Sequence, residues 1–341
     1  MNSSPKLDPI LVAILDSGRH TKHRVHSPHV RPSLDRNGEL VRLHRGSYMP
    51  KRRWSALSTE DRHLAAMLSA QRAATRPLVF SRLSAAILLG LSVHKPRDTR
   101  VHIVTSESGA GKTTAGIVRH RCPIDSAEIV SVHGLLCTSP FRTLLDLARF
   151  EPAELALAAA DSYLRQEYRV GRIVDSNEVE QWREAFAIRL RLLRGHRGVR
   201  RALQVCELAD ARCDSVLESV SHLQLRRLGF DVALQVAVPA RYGGHYFVDF
   251  ELLGLGVFAE CDGKSKYTNS VLRGGLSAEE VVYREKRREE WISSSTGKRI
   301  VRWGYADVAT PITLAQLLES YGVPIPKSPS GRANSSRLDF E

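Results

Sequence analysis

Two apolar segments with acidic residues at alternating positions decide the fold of the C-terminal part of the chain: Val248-Asp249-Phe250-Glu251-Leu252 and Val257-Phe258-Ala259-Glu260-Cys261-Asp262-Gly263-Lys264. The link of residues 253–256 contains two glycines and is short enough for a β-hairpin. Side chains alternate between the faces of a strand, so Glu260, Asp262 and Lys264 are expected to share one face. Folding the hairpin at its centre brings Asp249 opposite Ala259 or Glu260. The sequence therefore predicts two or three carboxylates close together on one sheet face.

A divalent cation would explain such a cluster, because carboxylates at close range repel each other and one of them would otherwise have to take up a proton. Magnesium prefers one or two carboxylates together with water and phosphate oxygens. It can also activate water and neutralise charge on a phosphodiester. We therefore expect Mg²⁺, or Mn²⁺ in its place, at this cluster of carboxylates.

The segments around the hairpin predict a small mixed-sheet α/β domain. Helices are expected at 214–228, 278–293 and 313–321, and strands at 232–238, 246–252, 257–262 and 299–303. An order that alternates helices and strands in this way is typical of a sheet with helices packed on it. The proline- and serine-containing end of the chain, residues 323–341, is expected to be a disordered tail.

This pattern resembles the PD-(D/E)xK nuclease superfamily, and most closely the very-short-patch-repair-like endonuclease domains of actinobacterial proteins. The matching pieces are Asp214-Ser215, Glu218-Ser219, Gln235, Val248-Asp249-Phe250, Glu260-x-Asp262-Gly263-x-x-Lys266-Tyr267, Glu285-Lys286-x-Arg288 and Val301-Arg302-Trp303. The resemblance covers about residues 210–308. It implies a restriction-endonuclease-like fold and metal-dependent hydrolysis of phosphodiester bonds, with Asp249 and Glu260 as metal ligands. The catalytic residues it implies are Glu218, Asp249, Glu260, Asp262 and Lys264.

The chain departs from the family pattern at one position. The family lysine stands two residues after the second acid, and Asp262 occupies that place here. One interpretation pairs Asp262 with Lys264 as the D-x-K element. Another uses Glu260 and Asp262 as ligands and takes either Lys264 or Lys266 as the lysine. The sequence leaves both open.

The N-terminal sixth of the chain carries a concentrated positive charge. Residues 1–53 contain eleven basic and four acidic residues, a net +7 out of the +13 of the 341-residue chain. Residues 40–49 alternate around Gly46 as a two-stranded wing would. We therefore expect a winged helix-turn-helix that binds double-stranded DNA. The candidate phosphate contacts are Lys22, Arg24, Arg31, Arg36, Arg42 and Arg45.

The first 150 residues resemble the antitoxin-like transcriptional regulators of abortive-infection type IV systems. The matching elements are the wing at 40–48 and the run Thr138-Ser139-Pro140-x-Arg142-Thr143-Leu144-Leu145-Asp146-Leu147-Ala148. The resemblance implies duplex binding, regulation of a neighbouring promoter and a cognate toxin as a partner.

These observations predict an α/β (α+β, multi-domain) protein. Its expected parts are a winged helix-turn-helix-like module at 1–53, an antitoxin-like α/β region at 54–150, a helical connector at 151–205, a restriction-endonuclease-like mixed sheet flanked by helices at 206–322, and the tail. Two functions follow from this organisation. The first is a DNA-binding, metal-dependent endonuclease, and the alternative is a transcription regulator whose nuclease fold is catalytically inactive.

Several other classes are not expected. No apolar run approaches the roughly 20 residues of a membrane span, and the five scattered cysteines form no CxxC pair, so we expect a cytoplasmic protein without a membrane partner, a disulfide framework or a cysteine zinc site. The string at 108–114 looks like a phosphate-binding loop, but Ser106 stands in place of its first glycine. We predict a hairpin turn there, between strands at 100–105 and 114–120, and no nucleotide cofactor.

Overall fold

The computed structural model describes residues 10, 14–16, 39–96, 98–106, 116–262 and 278–326. The chain divides into two compact units: unit 1 is Met1–Ala159 with Glu184–Val205, and unit 2 is Ala160–Arg183 with Cys206–Glu341. Both units combine helices with mixed β-sheets, which confirms the predicted α/β class. Within the described residues, no helix is long and apolar enough to cross a membrane.

Unit 1 begins with a three-stranded antiparallel sheet in the order β1-β3-β2, where β1 is Leu15–Asp16, β2 is Leu40–His44 and β3 is Ser47–Pro50. β2 and β3 form a hairpin. Gly46 takes a φ of 86° in its turn, a conformation that glycine adopts without steric cost. The two-stranded hairpin that the sequence predicted for residues 40–49 is therefore present. β3 is followed directly by helix α1 (Lys51–Ala56).

A five-stranded mixed sheet forms the centre of unit 1, in the order β6-β5-β4-β8-β7. Its strands are β4 (Val79–Phe80), β5 (Val101–Thr105), β6 (Ile117–Arg121), β7 (Ile129–Val132) and β8 (Leu135–Thr138). The helices α2 (Thr59–Ala73), α3 (Arg82–Leu88) and α4 (Pro140–Phe150) belong to the same unit. Ser58 and Ser139 cap the N-termini of α2 and α4 by accepting backbone N–H groups.

The hairpin predicted between the strands at 100–105 and 114–120 is wrong. β5 and β6 run parallel, with Val101 opposite Ile117. A tight hairpin can join only antiparallel strands, whereas parallel strands need a crossover connection. The glycine- and lysine-containing string at 108–114 lies outside the described residues.

Four further elements precede the C-terminal sheet: α5 (Ala153–Tyr168), a short hairpin of β9 (Arg169–Val170) and β10 (Ile173–Val174), α6 (Ser176–Leu192) and α7 (Val199–Leu208). The sequence predicts a helical connector over 151–205. Residues 160–183 of this segment belong to unit 2, and the rest belongs to unit 1.

Unit 2 contains a four-stranded sheet in the order β11-β12-β13-β14, formed by β11 (Val232–Pro239), β12 (His245–Leu252), β13 (Val257–Cys261) and β14 (Arg299–Trp303). The first two pairings are antiparallel and the third is parallel. Its helices are α8 (Val216–Arg227), α9 (Ala278–Thr296) and α10 (Pro311–Ser320). The predicted order of elements and the predicted hairpin of β12 and β13 are confirmed.

Helices cover both faces of this sheet. On one face, Phe250, Ala259 and Trp303 share a core with Leu217 of α8 and Leu314 of α10. On the other face, Val248 and Phe258 share a smaller core with Ile292 of α9. The helices therefore shield a separate core from water on each face of the sheet.

The end of the described chain extends this packing. Val323, which we assigned to the disordered tail, is buried in the larger core of unit 2, and its N–H donates to the carbonyl of Leu318. Residues 327–341 lie outside the described residues.

Candidate active site

Glu218 lies in the first turn of α8, where the sequence places it by a helix-capping pattern. Ser215 caps the helix, its hydroxyl accepting the N–H of Glu218 at 3.2 Å. The Glu218 carboxylate accepts in return from the Ser215 hydroxyl (2.8 Å) and from the Asp214 N–H (2.8 Å). The residue is only 6% exposed. The capping interactions therefore hold a buried carboxylate in one orientation at the start of α8.

Gln235 of β11 joins Glu218 to Asp249 of β12. Its amide nitrogen Nε2 donates to Glu218 Oε2 at 2.9 Å and to Asp249 Oδ1 at 3.2 Å. Its amide oxygen accepts from Arg172 Nη1 at 2.6 Å. Gln235 has a φ of 50°, a left-handed conformation that is uncommon for a residue with a side chain. Such local strain is often found at functional sites.

Asp249 is fixed from the adjacent strand as well. Its Oδ2 accepts the backbone N–H of Cys261 in β13 at 2.8 Å. Because Asp249 also shares the Gln235 amide with Glu218 of α8, its side chain lies on the α8 face of the sheet. We refer to Glu218, Gln235 and Asp249 as the acid pair site.

The electrostatics of the acid pair site favour a proton on Glu218. Burial raises the pKa of Glu218, the negative charge of Asp249 raises it further, and together they bring it from 4.5 to about 7. Two carboxylates held this close in a dry environment can share a proton or bind a cation. The structure thus brings together two of the acids that the sequence identified, Glu218 and Asp249.

Arg172, in the β9–β10 turn of unit 2, lies at the edge of the acid pair site. Its Nη1 contacts Asp214 Oδ2 at 2.6 Å as well as Gln235, and Asp214 also pairs with Arg169 at 2.7 Å. The Arg172 side chain remains 47% exposed. It also stacks on Phe247, with its guanidinium carbon 4.8 Å from the ring centroid. A fixed, partly exposed cation therefore stands beside the two carboxylates.

Glu260 does not join Asp249, contrary to the shared-face expectation. It lies on the α9 face with Phe258, where it pairs with Arg288 (2.7 Å) and Arg302 (3.0 Å). Burial tends to raise the pKa of Glu260, but these two arginines outweigh burial and hold it below its ordinary value. Asp249 contacts Gln235 and Glu260 contacts the two arginines, so the structure does not bring these two carboxylates together.

The other predicted ligands give no third carboxylate. Asp262 follows the end of β13, and its backbone N–H donates to the Trp303 carbonyl at 2.8 Å. Lys264 and Lys266 lie outside the described residues. Across residues 39–96, 98–106, 116–262 and 278–326, no group of three or more His, Cys, Asp or Glu side chains is arranged to hold a metal ion.

In unit 1, basic side chains gather on the β2–β3 hairpin and the helix that follows it. Arg42 and Arg45, two of the predicted phosphate contacts, are exposed on the hairpin. Lys51, Arg52 and Arg53, a basic triplet that is not among the predicted contacts, are exposed on α1. We refer to these five residues as the hairpin–helix basic surface. Lys22, Arg24, Arg31 and Arg36 lie outside the described residues.

Two members of the candidate site were also missing from the predicted catalytic set. Gln235 belongs to the family pattern but carries no predicted role, and Arg172 belongs to a segment that the sequence predicts as a connector. No protein-family model matches the chain, and no curated protein sequence matches it. The function is therefore inferred from the geometry of these residues.

Proposed function

We propose that this protein binds duplex DNA and hydrolyses its phosphodiester bonds at the acid pair site with the help of Mg²⁺. The observation that carries the proposal is that a single atom, Gln235 Nε2, lies within 3.2 Å of a carboxylate oxygen of both Glu218 and Asp249. Two acids held around one position form a pocket of negative charge. A divalent cation is the usual means of stabilising such a pocket.

The residues present suit magnesium. The donors are carboxylate oxygens, which hard cations prefer, and magnesium needs only one or two of them when water and substrate phosphate supply the rest. Glu218 and Asp249 would be the ligands. When bound there, Mg²⁺ would supply an activated water and neutralise charge on the phosphodiester.

The side chains of the chain itself prepare this site. The Cys261 N–H and the Gln235 amide fix both oxygens of Asp249, and the α8 cap fixes Glu218. Arg172 holds the Gln235 amide so that its NH₂ group points at the carboxylates. The exposed part of Arg172 can contact a phosphate, since guanidinium groups match phosphate geometry. The arrangement thus orients its acids before any substrate arrives.

The hairpin–helix basic surface supports the DNA-binding part of the proposal. Its five exposed cations stand on adjacent elements of unit 1. Lysine and arginine contacts to phosphates supply affinity and position the protein without reading sequence. We expect this surface to give binding to duplex DNA that weakens steeply with salt.

One observation favours a second function. Glu260, which the family pattern assigns to the metal site, is neutralised by Arg288 and Arg302. A nuclease fold with that acid engaged could serve only to hold DNA, in a transcription regulator that acts with a cognate toxin. The two functions differ in a single outcome, which is cleavage.

Incubation of supercoiled plasmid with the full chain separates these functions. We expect nicking or cleavage in Mg²⁺ or Mn²⁺ and none in EDTA. Asp249→Asn should abolish cleavage and leave DNA binding intact, because the metal acts mainly on the transition state. Glu319→Gln, which removes an exposed acid from the same unit, is the matched control and should cleave like the wild type. Binding without cleavage by the wild type on several DNA substrates would favour the regulator.

A further inference from the structure

Four exposed arginines of unit 1 lie in the last turn of α6, in the connection that follows it and at the start of α7. They are Arg191, Arg194, Arg197 and Arg200, and we refer to them as the arginine turn. The surrounding stretch, residues 185–206, contains no aspartate or glutamate. Within the described part of the chain, no ion pair joins these four side chains to an acid. Four like charges therefore stand close together in sequence and face solvent.

The backbone of the arginine turn is rigidly attached to the end of α4. Gly198 has a φ of 81°, and a Cβ at this position would lie 2.0 Å from the carbonyl oxygen of Arg149. The Arg149 side chain donates from Nε to the Arg197 carbonyl at 3.2 Å. Gly195, which follows the end of α6, has a φ of 85°, a conformation that glycine adopts without steric cost and that lets the chain change direction. The turn is thus a preformed element, so little conformational entropy is lost when it binds a partner.

The two arginines that flank the turn have a different role. Arg189 pairs with Glu128 at 3.3 Å, and Arg201 donates to the backbone carbonyls of Ala148 and Arg149 at 3.3 and 2.6 Å. These side chains bind the turn to unit 1. The four exposed arginines are left for an external anion.

We propose that the arginine turn is a second contact surface for the phosphate backbone of nucleic acid, an inference that rests on the DNA binding proposed above. Arginine presents a planar set of donors that matches phosphate oxygens, and repeated phosphates relieve the repulsion within a row of cations. Because phosphate contacts carry no sequence information, this surface adds affinity without specificity.

An anionic membrane is the competing partner, because two apolar side chains flank the arginines. Ile188 is 53% exposed and Leu192 is 72% exposed. Unit 1 already carries the hairpin–helix basic surface, and two apolar side chains give little area for insertion into lipid. The charge distribution of the unit therefore favours nucleic acid.

The test compares duplex binding of the full-length wild type with that of the double variant Arg194→Gln/Arg197→Gln. The matched control, Arg212→Gln/Arg226→Gln, removes the same charge from surface ion pairs of unit 2 with Asp210 and Asp231. Fluorescence anisotropy with a labelled duplex measures how the logarithm of the affinity falls with the logarithm of the salt concentration. For the double variant, this slope should be shallower by the amount expected for the loss of about two phosphate contacts. Its loss of affinity between about 50 and 200 mM salt should then be about tenfold smaller than that of the wild type and the control. Arg194→Gln alone should show about half of the change in slope, and thermal unfolding of each variant verifies folding.

The outcomes separate this inference from the proposed function. A wild type that binds no duplex would disprove the proposed DNA binding itself. A wild type that binds, with a double variant that behaves like the control, would disprove only the arginine turn. A parallel titration uses vesicles of phosphatidylserine and phosphatidylcholine. If the double variant lost vesicle binding but kept duplex binding unchanged, the partner would be a membrane surface and the inference would be wrong.

Discussion

Replacing Glu218 with glutamine is expected to stabilise the metal-free protein above neutral pH. Burial and the charge of Asp249 raise the pKa of Glu218 from 4.5 to about 7. The native state therefore binds this proton more tightly than the unfolded state does. As a consequence, the free energy of unfolding falls as the pH rises from about 4.5 to 7, and the full loss persists above pH 7. Glutamine carries no charge and does not titrate, so the variant escapes this loss.

The size of the effect follows from the change in pKa and from the fit of the glutamine. A pKa that moves from 4.5 to about 7 corresponds to roughly 3 kcal/mol between the protonated and ionised forms. The glutamine oxygen can accept from the Asp214 N–H and from Gln235, and its NH₂ group can donate to the Ser215 hydroxyl. The variant should therefore keep its hydrogen bonds. For a unit of this size, such a gain raises the melting temperature by roughly 5–10 °C.

Thermal unfolding of both proteins in EDTA, from about pH 5 to about pH 8.5, measures this effect. The difference in melting temperature should be small at the acid end and should grow towards the alkaline end. Asp161, whose pKa burial also raises to about 7, titrates in both proteins and cancels in the difference. Glu319→Gln, which also replaces one carboxyl by an amide in unit 2, is measured as the matched control. A difference between wild type and Glu218→Gln that does not vary with pH would refute the assigned environment of Glu218.

Three further predictions concern the rest of the molecule. Arg288→Gln leaves Glu260 with one arginine partner, so the pKa of that carboxyl should rise. Urea denaturation at neutral pH should then show a free energy of unfolding lower by about 1–3 kcal/mol. An unchanged denaturation midpoint would contradict the ion pairs. Gly198→Ala places a Cβ against the carbonyl of Arg149 at a positive φ and should cost more than about 1 kcal/mol, which equal melting temperatures would disprove. Burial lowers the pKa of His63 from 6.5 to about 4, so the native state resists protonation and stability is lost as the pH falls from about 6.5 to 4. His63→Gln should flatten this part of the curve of stability against pH. Curves of the same shape for the variant and the wild type would contradict this expectation.

The strands of unit 2 could be predicted because their pattern is local. A short link with two glycines and an alternating apolar pattern are sufficient to define the β12–β13 hairpin, and the following helix and strand complete the order of elements. The capping residue Ser215 and the acid three positions later likewise mark the start of α8. These features depend on neighbours in sequence, so they could be inferred without knowledge of the tertiary structure.

The membership of the candidate site could not be predicted in the same way. The strand register places Asp249 near Glu260. Only the tertiary structure shows that Asp249 contacts Gln235 and that Glu260 contacts Arg288. The left-handed backbone of Gln235 has no clear local signal, because it is not a glycine or an asparagine. Partners that are distant in sequence therefore decided which acids came together.

The parallel pairing of β5 and β6 shows the same limit in unit 1. Each strand was predicted from its own composition, but the second begins at Ile117 instead of Thr114 and runs parallel to the first. The direction of a strand depends on how the chain returns to the sheet, and the composition of the strand itself does not specify that return. A turn-like string between two strands was consequently interpreted as a hairpin.

The most direct test of the acid pair site is a calorimetric titration of the full chain with Mn²⁺ in the absence of DNA. The wild type should bind one ion in unit 2, and binding near pH 7 should release part of a proton, because Glu218 is partly protonated there. Asp249→Asn should weaken this binding at least about tenfold, since it removes one of the two proposed ligands, while Glu319→Gln should bind as the wild type does. If the wild type binds no Mn²⁺, or if Asp249→Asn binds it equally well, Glu218 and Asp249 do not form a metal site and the nuclease account is wrong.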